Sequence, residues 1–123
     1  PRVVSNPDRL TFERFIPGHT TLVKNQFGIA EPKHSPKDAI APWKLDMVIT
    51  PLVAFDRFGY RLGMGKGYYD RTFSITPRWW RRPKLVGLAF SLQEATFIHH
   101  AHDVPLDMVV TERGAVTFKK ITL

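Results

Sequence analysis

Residues 46–53 have the sequence DMVITPLV, which is almost entirely apolar and rich in β-branched side chains. A run of this kind is typical of a strand that is buried on both faces of a sheet. Pro51 has no backbone N–H and therefore interrupts strand pairing. We expect a buried strand that begins near Asp46 and stops pairing at Pro51.

Similar apolar segments predict the rest of the sheet. Residues 84–90 (KLVGLAF) and 108–111 (MVVT) predict two more strands, and residues 116–118 predict an edge strand. A helix is expected at 68–73, directly after a glycine-rich segment. Buried strands that are separated by a helix and by crossover connections indicate an α/β fold, with a parallel or mixed sheet flanked by helices.

The first third of the chain gives weaker signals. Short strands are expected at 2–4 and 10–15, with a turn between them. Residues 19–44 contain several prolines and glycines and show little hydrophobic periodicity. This segment is expected to be a long ordered loop with one turn of helix near residues 20–24.

Length and composition set further bounds. The 123 residues fit a single domain, residues 1–123, and they include no cysteine. Disulfides, thiol catalysis and the usual structural zinc sites are therefore excluded. The sequence has no apolar run of roughly 18 residues that could span a membrane and does not begin like a signal peptide. We expect a cytoplasmic protein with no membrane partner.

The formal net charge of +7 indicates either an anionic partner or a solvated basic surface. The densest basic segment is residues 78–84 (RWWRRPK), where basic side chains are interleaved with two tryptophans. Such a segment can stack on and neutralise nucleic acid. Because it is one short cluster without a repeated aromatic platform, nucleic acid is not favoured as the partner. Trp79 and Trp80 fit equally well as cover for a hydrophobic core.

Residues 61–70 (RLGMGKGYYD) carry the clearest chemical signal. Three glycines at alternate positions allow consecutive backbone N–H groups to point at one anion. The helix that follows adds its dipole, while Lys66 and Arg61 add positive charge. The spacing matches neither of the two common glycine-rich phosphate motifs. A phosphate-binding loop is expected, and the alternative is a tight structural loop between a strand and a helix.

Two carboxylates and three histidines are candidate metal ligands. Asp70 follows the glycines and can bind Mg²⁺, although an acid in the first turn of a helix also compensates the helix dipole. Asp103 precedes the 108–111 strand and is the candidate second carboxylate. His99, His100 and His102 do not have a standard zinc spacing, so a solvated loop is the preferred interpretation there.

At these residues the sequence resembles the 5-formyltetrahydrofolate cyclo-ligase family. The resemblance rests on the run from residue 46 to 56, Gly59, and residues 61–71, and supporting segments lie at 27–32, 86–90 and 102–111. It implies a three-layer α/β fold of the ribose-isomerase and CoA-transferase-like kind. It also implies an ATP- and Mg²⁺-dependent conversion of 5-formyltetrahydrofolate to 5,10-methenyltetrahydrofolate, with release of ADP and phosphate.

The resemblance also assigns site residues. Asp70 and Asp103 are expected to bind Mg²⁺, and Lys66 and Tyr68 are expected to be catalytic. The folate substrate is expected to border Met64, Gly65, Lys66, Gly67 and Tyr68. The ATP-binding residues are expected to be Arg61, Leu62, Gly63, Met64, Gly65, Lys66, Gly67, Tyr68 and Tyr69.

Members of this family are longer than 123 residues and begin with a basic helix that helps to bind ATP. The chain therefore resembles the C-terminal two-thirds of a cyclo-ligase-like domain that is truncated at its N-terminus. Exposed apolar surface and self-association are expected of such a piece. Two other functions remain open at this stage, a non-catalytic nucleotide- or folate-binding module and a basic RNA-associated protein.

Overall fold

The computed structural model describes residues 1–5, 8–63, 67–74, 82–100 and 103–118. Short 3₁₀ turns lie at Pro36–Asp38, Pro42–Lys44 and Ser91–Gln93. The strands and the α-helix of the described ranges are β1 (Arg2–Ser5), β2 (Asp8–Glu13), β3 (Leu22–Lys24), β4 (Ala30–Pro32), β5 (Ala39–Ile40), β6 (Met47–Thr50), β7 (Ala54–Phe55), β8 (Arg61–Leu62), α1 (Tyr68–Ser74), β9 (Lys84–Leu88), β10 (Met108–Thr111) and β11 (Gly114–Thr117).

The main sheet has the strand order β11-β10-β9-β6. Strands β6 and β10 both pair parallel to β9, whereas β10 and β11 form an antiparallel hairpin. A smaller sheet of β1, β2 and β5 and two hairpins, β3–β4 and β7–β8, complete the strand pairing. The prediction of a mixed sheet in an α/β chain is confirmed.

Strand β6 ends at Thr50, immediately before Pro51, as predicted. Its two faces nevertheless differ, because Val48 and Thr50 are buried while the side chains of Met47 and Ile49 remain 55% and 52% exposed. The prediction of burial on both faces is therefore wrong. All four side chains are of types found in buried strands, so composition alone does not show that the described residues leave one face of β6 uncovered.

The hydrophobic core lies on the covered face of the main sheet. It is formed by Val48, Phe73, Leu85, Val104 and Leu106. Helix α1 contributes Phe73, and the ring of Phe12 from β2 packs 6.0 Å from it.

The expectation of helices on both sides of the sheet is not met within the described ranges, where α1 is the single α-helix. Among these residues, no helix has the length and apolar character needed to cross a membrane.

Residues 22–32 form the β3–β4 hairpin, so the prediction of a helical turn near residues 20–24 is wrong. The side-chain oxygen of Asn25 accepts hydrogen bonds from the N–H groups of Phe27 and Ile29, at 2.8 and 3.1 Å. Gly28 adopts a positive φ of 74°, which other residues disfavour. This turn chemistry reverses the chain and outweighs the weak helical preference of the preceding residues.

The turn between β7 and β8 has the sequence Asp-x-x-Gly at residues 56–59, a pattern that favours a turn. The buried carboxylate of Asp56 accepts hydrogen bonds from the N–H groups of Phe58 and Tyr60, at 2.9 and 3.0 Å. Gly59 has a φ of 94°, and its carbonyl oxygen accepts a 2.8 Å hydrogen bond from the Leu106 N–H. The turn is thereby attached to the segment that leads into β10.

Replacing Gly59 by alanine should destabilise the fold. A Cβ atom there would lie 2.8 Å from the Phe118 ring and 2.9 Å from the Leu106 carbonyl oxygen, in addition to the strain of positive φ. We expect a loss of about 2–4 kcal/mol in the free energy of unfolding, measured by urea denaturation.

Gly18→Ala is the matched control for this experiment. Gly18 has a similar φ of 80°, but a Cβ atom on it would have no neighbouring atom within 4 Å among the described residues. It should cost about 1 kcal/mol, which is the conformational strain alone. Equal losses in the two variants would contradict the proposed close approach at Gly59.

Candidate functional site

The glycine-rich segment connects β8 to α1. Gly63 and Gly67 are described, whereas the predicted site residues Met64, Gly65 and Lys66 lie outside the described residues. Gly67 adopts a φ of 69°, and its carbonyl oxygen accepts a hydrogen bond from the Arg71 N–H at 2.9 Å. The segment therefore leaves a short strand and enters a helix, as the sequence predicts.

The Arg61 side chain folds back over this segment. Its guanidinium group lies 5.0 Å from the centre of the Tyr69 ring, and its Nη1 atom lies 3.4 Å from the Pro51 carbonyl oxygen. A Cβ atom on Gly63 would come within 2.8 Å of the same Nη1 atom. The absence of a side chain at Gly63 therefore makes room for the guanidinium group beside the loop.

Burial and neighbouring charges have opposite effects on the pKa of Arg61. Burial lowers the pKa of Arg61, while Asp70, Tyr69 and Asp103 act in the opposite direction and favour its charged form. Burial raises the pKa of Tyr69, and the neighbouring Arg61 opposes this change. At neutral pH the site therefore combines a charged guanidinium group with a neutral phenol.

Asp70 and Asp103 also connect elements of the fold. Asp70 Oδ1 accepts a hydrogen bond from the Val104 N–H at 3.0 Å, which joins α1 to the segment before β10. Asp103 Oδ2 accepts a hydrogen bond from the His100 N–H at 2.7 Å. Because Val104 directly follows Asp103, the hydrogen bond from its N–H to Asp70 brings the two predicted metal ligands to neighbouring positions, one on α1 and one on the segment before β10.

This pair of carboxylates fits Mg²⁺ better than a metal held by protein groups alone. Within the described ranges, no three or more His, Asp or Glu side chains are grouped so that they could hold a metal ion. Mg²⁺ commonly takes one or two carboxylates and completes its coordination with waters and substrate phosphates. Asp70 and Asp103 each have a second oxygen besides the one in the hydrogen bonds described above. Their role as ligands stays a prediction.

Tyr68, the first residue of α1, contacts the tip of the β3–β4 hairpin. Its hydroxyl group accepts a 3.3 Å hydrogen bond from Gln26 Nε2. Its ring meets the Phe27 ring edge to face, with 6.3 Å between the ring centres. Neither Gln26 nor Phe27 is assigned to the site from the sequence, although Phe27 opens one of the segments on which the family resemblance rests.

Other candidate groups lie apart from this arrangement. His99 stacks on Tyr60 with ring centres 3.6 Å apart, and His102 lies outside the described residues. A cavity of about 210 Å³ is bordered by His99 and is lined by none of the described residues of the 61–70 segment. Of the basic cluster at 78–84, residues 78–81, including Trp79 and Trp80, lie outside the described residues.

Asp70 has a structural contribution that can be separated from any role of its charge. Asp70→Ala removes the acceptor of the Val104 N–H and should cost about 1–3 kcal/mol in the free energy of unfolding. Asp70→Asn retains an oxygen at this place and should cost less than about 1 kcal/mol. Thermal or urea unfolding of both variants checks the expectation, which fails if asparagine destabilises as much as alanine.

A mixed sheet whose glycine-rich connection leads from a short strand into a helix places the chain among the α/β proteins. Comparison with known proteins agrees with this class and narrows it. The model of the 5-formyltetrahydrofolate cyclo-ligase family matches residues 1–112. The chain belongs to the 5-formyltetrahydrofolate cyclo-ligase family.

Individual relatives support the assignment. The chain is 44% identical to the 5-formyltetrahydrofolate cyclo-ligase of Haemophilus influenzae over 99 residues, which is 79% of this chain and 51% of that protein. It is 42% identical to the Escherichia coli (strain K12) enzyme of the same name over 103 residues, or 83% of this chain and 55% of that protein. The chain thus spans about half the length of the curated relatives that it matches.

Two solved structures resemble this one. The 5,10-methenyltetrahydrofolate synthetase of Aquifex aeolicus matches with a TM-score of 0.71 and 33% identity, over 94% of this chain and 56% of that one. The enzyme of the same name from Mycoplasma pneumoniae matches with a TM-score of 0.51 and 31% identity, over 85% of this chain and 57% of that one. The cytoplasmic location stays a prediction, because the relative from Arabidopsis thaliana is named as mitochondrial.

Proposed function

We propose that this chain carries the ATP- and Mg²⁺-binding part of an enzyme that converts 5-formyltetrahydrofolate to 5,10-methenyltetrahydrofolate. ATP is the co-substrate, and ADP and phosphate are released. The observation that supports the proposal is the hydrogen bond that joins Asp70 of α1 to Val104, next to Asp103, in a member of the cyclo-ligase family. Both acids also favour the charged form of Arg61 by their effect on its pKa.

The domain to which this chain belongs is also part of the proposal. Residues 1–123 form the C-terminal two-thirds of one cyclo-ligase-like domain, with a three-layer arrangement of the ribose-isomerase and CoA-transferase-like kind. The Aquifex aeolicus match supports this proposal, because 94% of this chain aligns with 56% of that longer one. The open side of β6, where Met47 and Ile49 are exposed, supports the proposal that this chain associates with itself.

ATP is assigned to residues 61–69. Backbone N–H groups of the glycine-rich segment would receive phosphate oxygens, and the charges of Arg61 and Lys66 would neutralise them. Asp70 and Asp103 would hold Mg²⁺, which supplies further neutralisation of phosphate charge when it is bound. The folate would border residues 64–68, where the ring of Tyr68 offers an aromatic face to the pterin.

The reaction needs positioning more than it needs acid–base groups. The formyl oxygen attacks the γ-phosphorus of ATP, the bond from that phosphorus to the ADP oxygen breaks, and an imidate-like phosphate forms. The N10 nitrogen then attacks the former formyl carbon, loses its proton, and phosphate leaves as the ring closes. Arg61, Lys66 and the loop N–H groups would orient the phosphates and stabilise charge on the transferring group. Lys66 and Tyr68 are the proposed catalytic residues.

The direct test mixes the purified protein with 5-formyltetrahydrofolate, ATP and Mg²⁺ and follows the near-ultraviolet absorbance of the methenyl product. An ATP-dependent rise is expected. If folate and ATP bind in calorimetry but no product forms, the chain is a non-catalytic binding module instead. A steep salt dependence of RNA binding without turnover would favour an RNA-associated function.

Removing charge from the site should slow the reaction. Lys66→Ala and Asp70→Asn should each lower kcat/KM by about a hundredfold or more, because each removes a charge that acts on the phosphates. Glu112→Gln is a suitable control, since Glu112 binds the N–H and hydroxyl groups of Ser91 in an exposed loop. Near-normal activity in both site variants would remove the assignment of this site.

The contact between Arg61 and Gly63 gives a finer test. In Gly63→Ala the new Cβ must displace the Arg61 guanidinium group, which is the mobile end of a side chain, so stability should change by less than about 1 kcal/mol. The KM for ATP should rise about three- to tenfold, because the displaced charge no longer faces the phosphates.

The same Gly63 substitution should have little further effect when Arg61→Ala is already present, because the group that it displaces is gone. Steady-state kinetics with varied ATP and a urea unfolding curve for each variant complete this cycle. An equal rise in KM in both backgrounds would show that Gly63 acts independently of Arg61.

A further inference from the structure

The tip of the β3–β4 hairpin reaches the candidate site although little packing supports it. Phe27 and Ile29 are 48% and 62% exposed, and each strand of the hairpin has three residues. An isolated hairpin of this size has little stability of its own. Its tip nevertheless contacts Tyr68 twice, through the Gln26 side chain and through the Phe27 ring. Some other interaction must therefore fix the tip.

A polar network at the base of the turn meets this need. Asn25 Oδ1 accepts hydrogen bonds from the N–H groups of Phe27 and Ile29, and the Asn25 N–H donates to the Ile29 carbonyl oxygen at 2.9 Å. The Gly28 N–H donates to the Asn25 carbonyl oxygen at 3.0 Å. The side chain and backbone of Asn25 thus bind three residues of the turn, Phe27, Gly28 and Ile29.

Glu31 holds the Asn25 side chain in place. Its side chain accepts a hydrogen bond from Asn25 Nδ2 at 3.3 Å and one from the Val3 N–H of β1 at 3.0 Å, both on Oε2. Glu31 is only 7% exposed, so its carboxylate cannot exchange these partners freely for water. The chain of contacts runs from β1 through Glu31 and Asn25 to the turn.

We propose that Asn25 and Glu31 are positioning residues for Tyr68, acting through Gln26 and Phe27 at the hairpin tip. The inference rests on the proposed function, in which Tyr68 borders the folate. Neither Asn25 nor Glu31 touches the substrate in this proposal. They set the place of the tip, and the tip limits the positions that the Tyr68 ring can take.

The main experiment measures steady-state kinetics of Asn25→Ala in the purified protein with each substrate varied. Loss of the two turn hydrogen bonds should raise the KM for 5-formyltetrahydrofolate about tenfold, because the Tyr68 ring is no longer held for the pterin. The KM for ATP should change less than about twofold, because Tyr68 is only one of the residues 61–69 assigned to ATP, and Arg61 and the carboxylates are untouched. A general loss of structure would alter both constants and the thermal unfolding midpoint together.

An exchange of the two polar groups gives a rescue test. Asn25→Asp places a carboxylate against Glu31 and should be at least as harmful as Asn25→Ala, because like charges repel in a covered site. Asn25→Asp combined with Glu31→Gln lets the glutamine amide donate to the new carboxylate and removes the repulsion, but the Val3 N–H, which shares Oε2, loses its acceptor. The double variant should therefore recover part of the KM for the folate that Asn25→Asp loses. Glu112→Gln serves as a control for the glutamate substitution.

The outcomes are distinguishable. If the unaltered protein forms no methenyl product, the proposed function is overturned and this inference with it. If the unaltered protein is active but Asn25→Ala leaves the folate KM unchanged, only the positioning role is overturned. The same holds if the exchanged pair is no better than Asn25→Asp alone. The inference is supported if Asn25→Ala raises the KM for 5-formyltetrahydrofolate but not the KM for ATP, and if the double variant has a lower KM for the folate than Asn25→Asp.

Discussion

The hydrogen bond between the Leu106 N–H and the Gly59 carbonyl oxygen is the contact on which the candidate site depends. It requires glycine, because the Phe118 ring and the Leu106 carbonyl oxygen fill the space where a Cβ would lie. The bond fixes the β7–β8 turn against the segment before β10. Since Arg61 follows that turn and Asp103 begins that segment, this backbone contact joins the part of the chain that carries the cation to the part that carries the second carboxylate.

Helix α1 completes the arrangement from the other direction. Phe73 is almost fully buried in the core against the sheet, while the Leu10 N–H donates to the buried Thr72 hydroxyl group at 2.8 Å. These contacts fix the helix, and the helix carries Asp70 to the Val104 N–H. The polar residues of the site thus lie at the rim of a core that is built from a different set of side chains.

The sequence predicts the parts of this molecule that depend on local chemistry. The end of β6 before Pro51, the Asp56 turn, helix α1 and the mixed sheet all follow from proline geometry, turn residues and apolar patterns. The exposed side of β6 does not follow from them, because burial depends on which element covers a strand. The β3–β4 hairpin also escapes prediction, since its signal is one asparagine whose side chain bonds two N–H groups. The hydrogen bond that joins Asp70 to Val104, next to Asp103, depends on the tertiary fold. The family resemblance predicts that the two acids act together, but it does not predict this contact.

The hydrogen bond between Asp70 and Val104 has a thermodynamic consequence. The same carboxylate holds α1 to the segment before β10 and is proposed to face the bound nucleotide, so occupancy of the site and cohesion of the fold are linked. A ligand that binds only the folded form adds RT ln(1 + [L]/Kd) to its stability. The resistance of this chain to unfolding should therefore rise with the concentration of any ligand that binds at this carboxylate in the folded form.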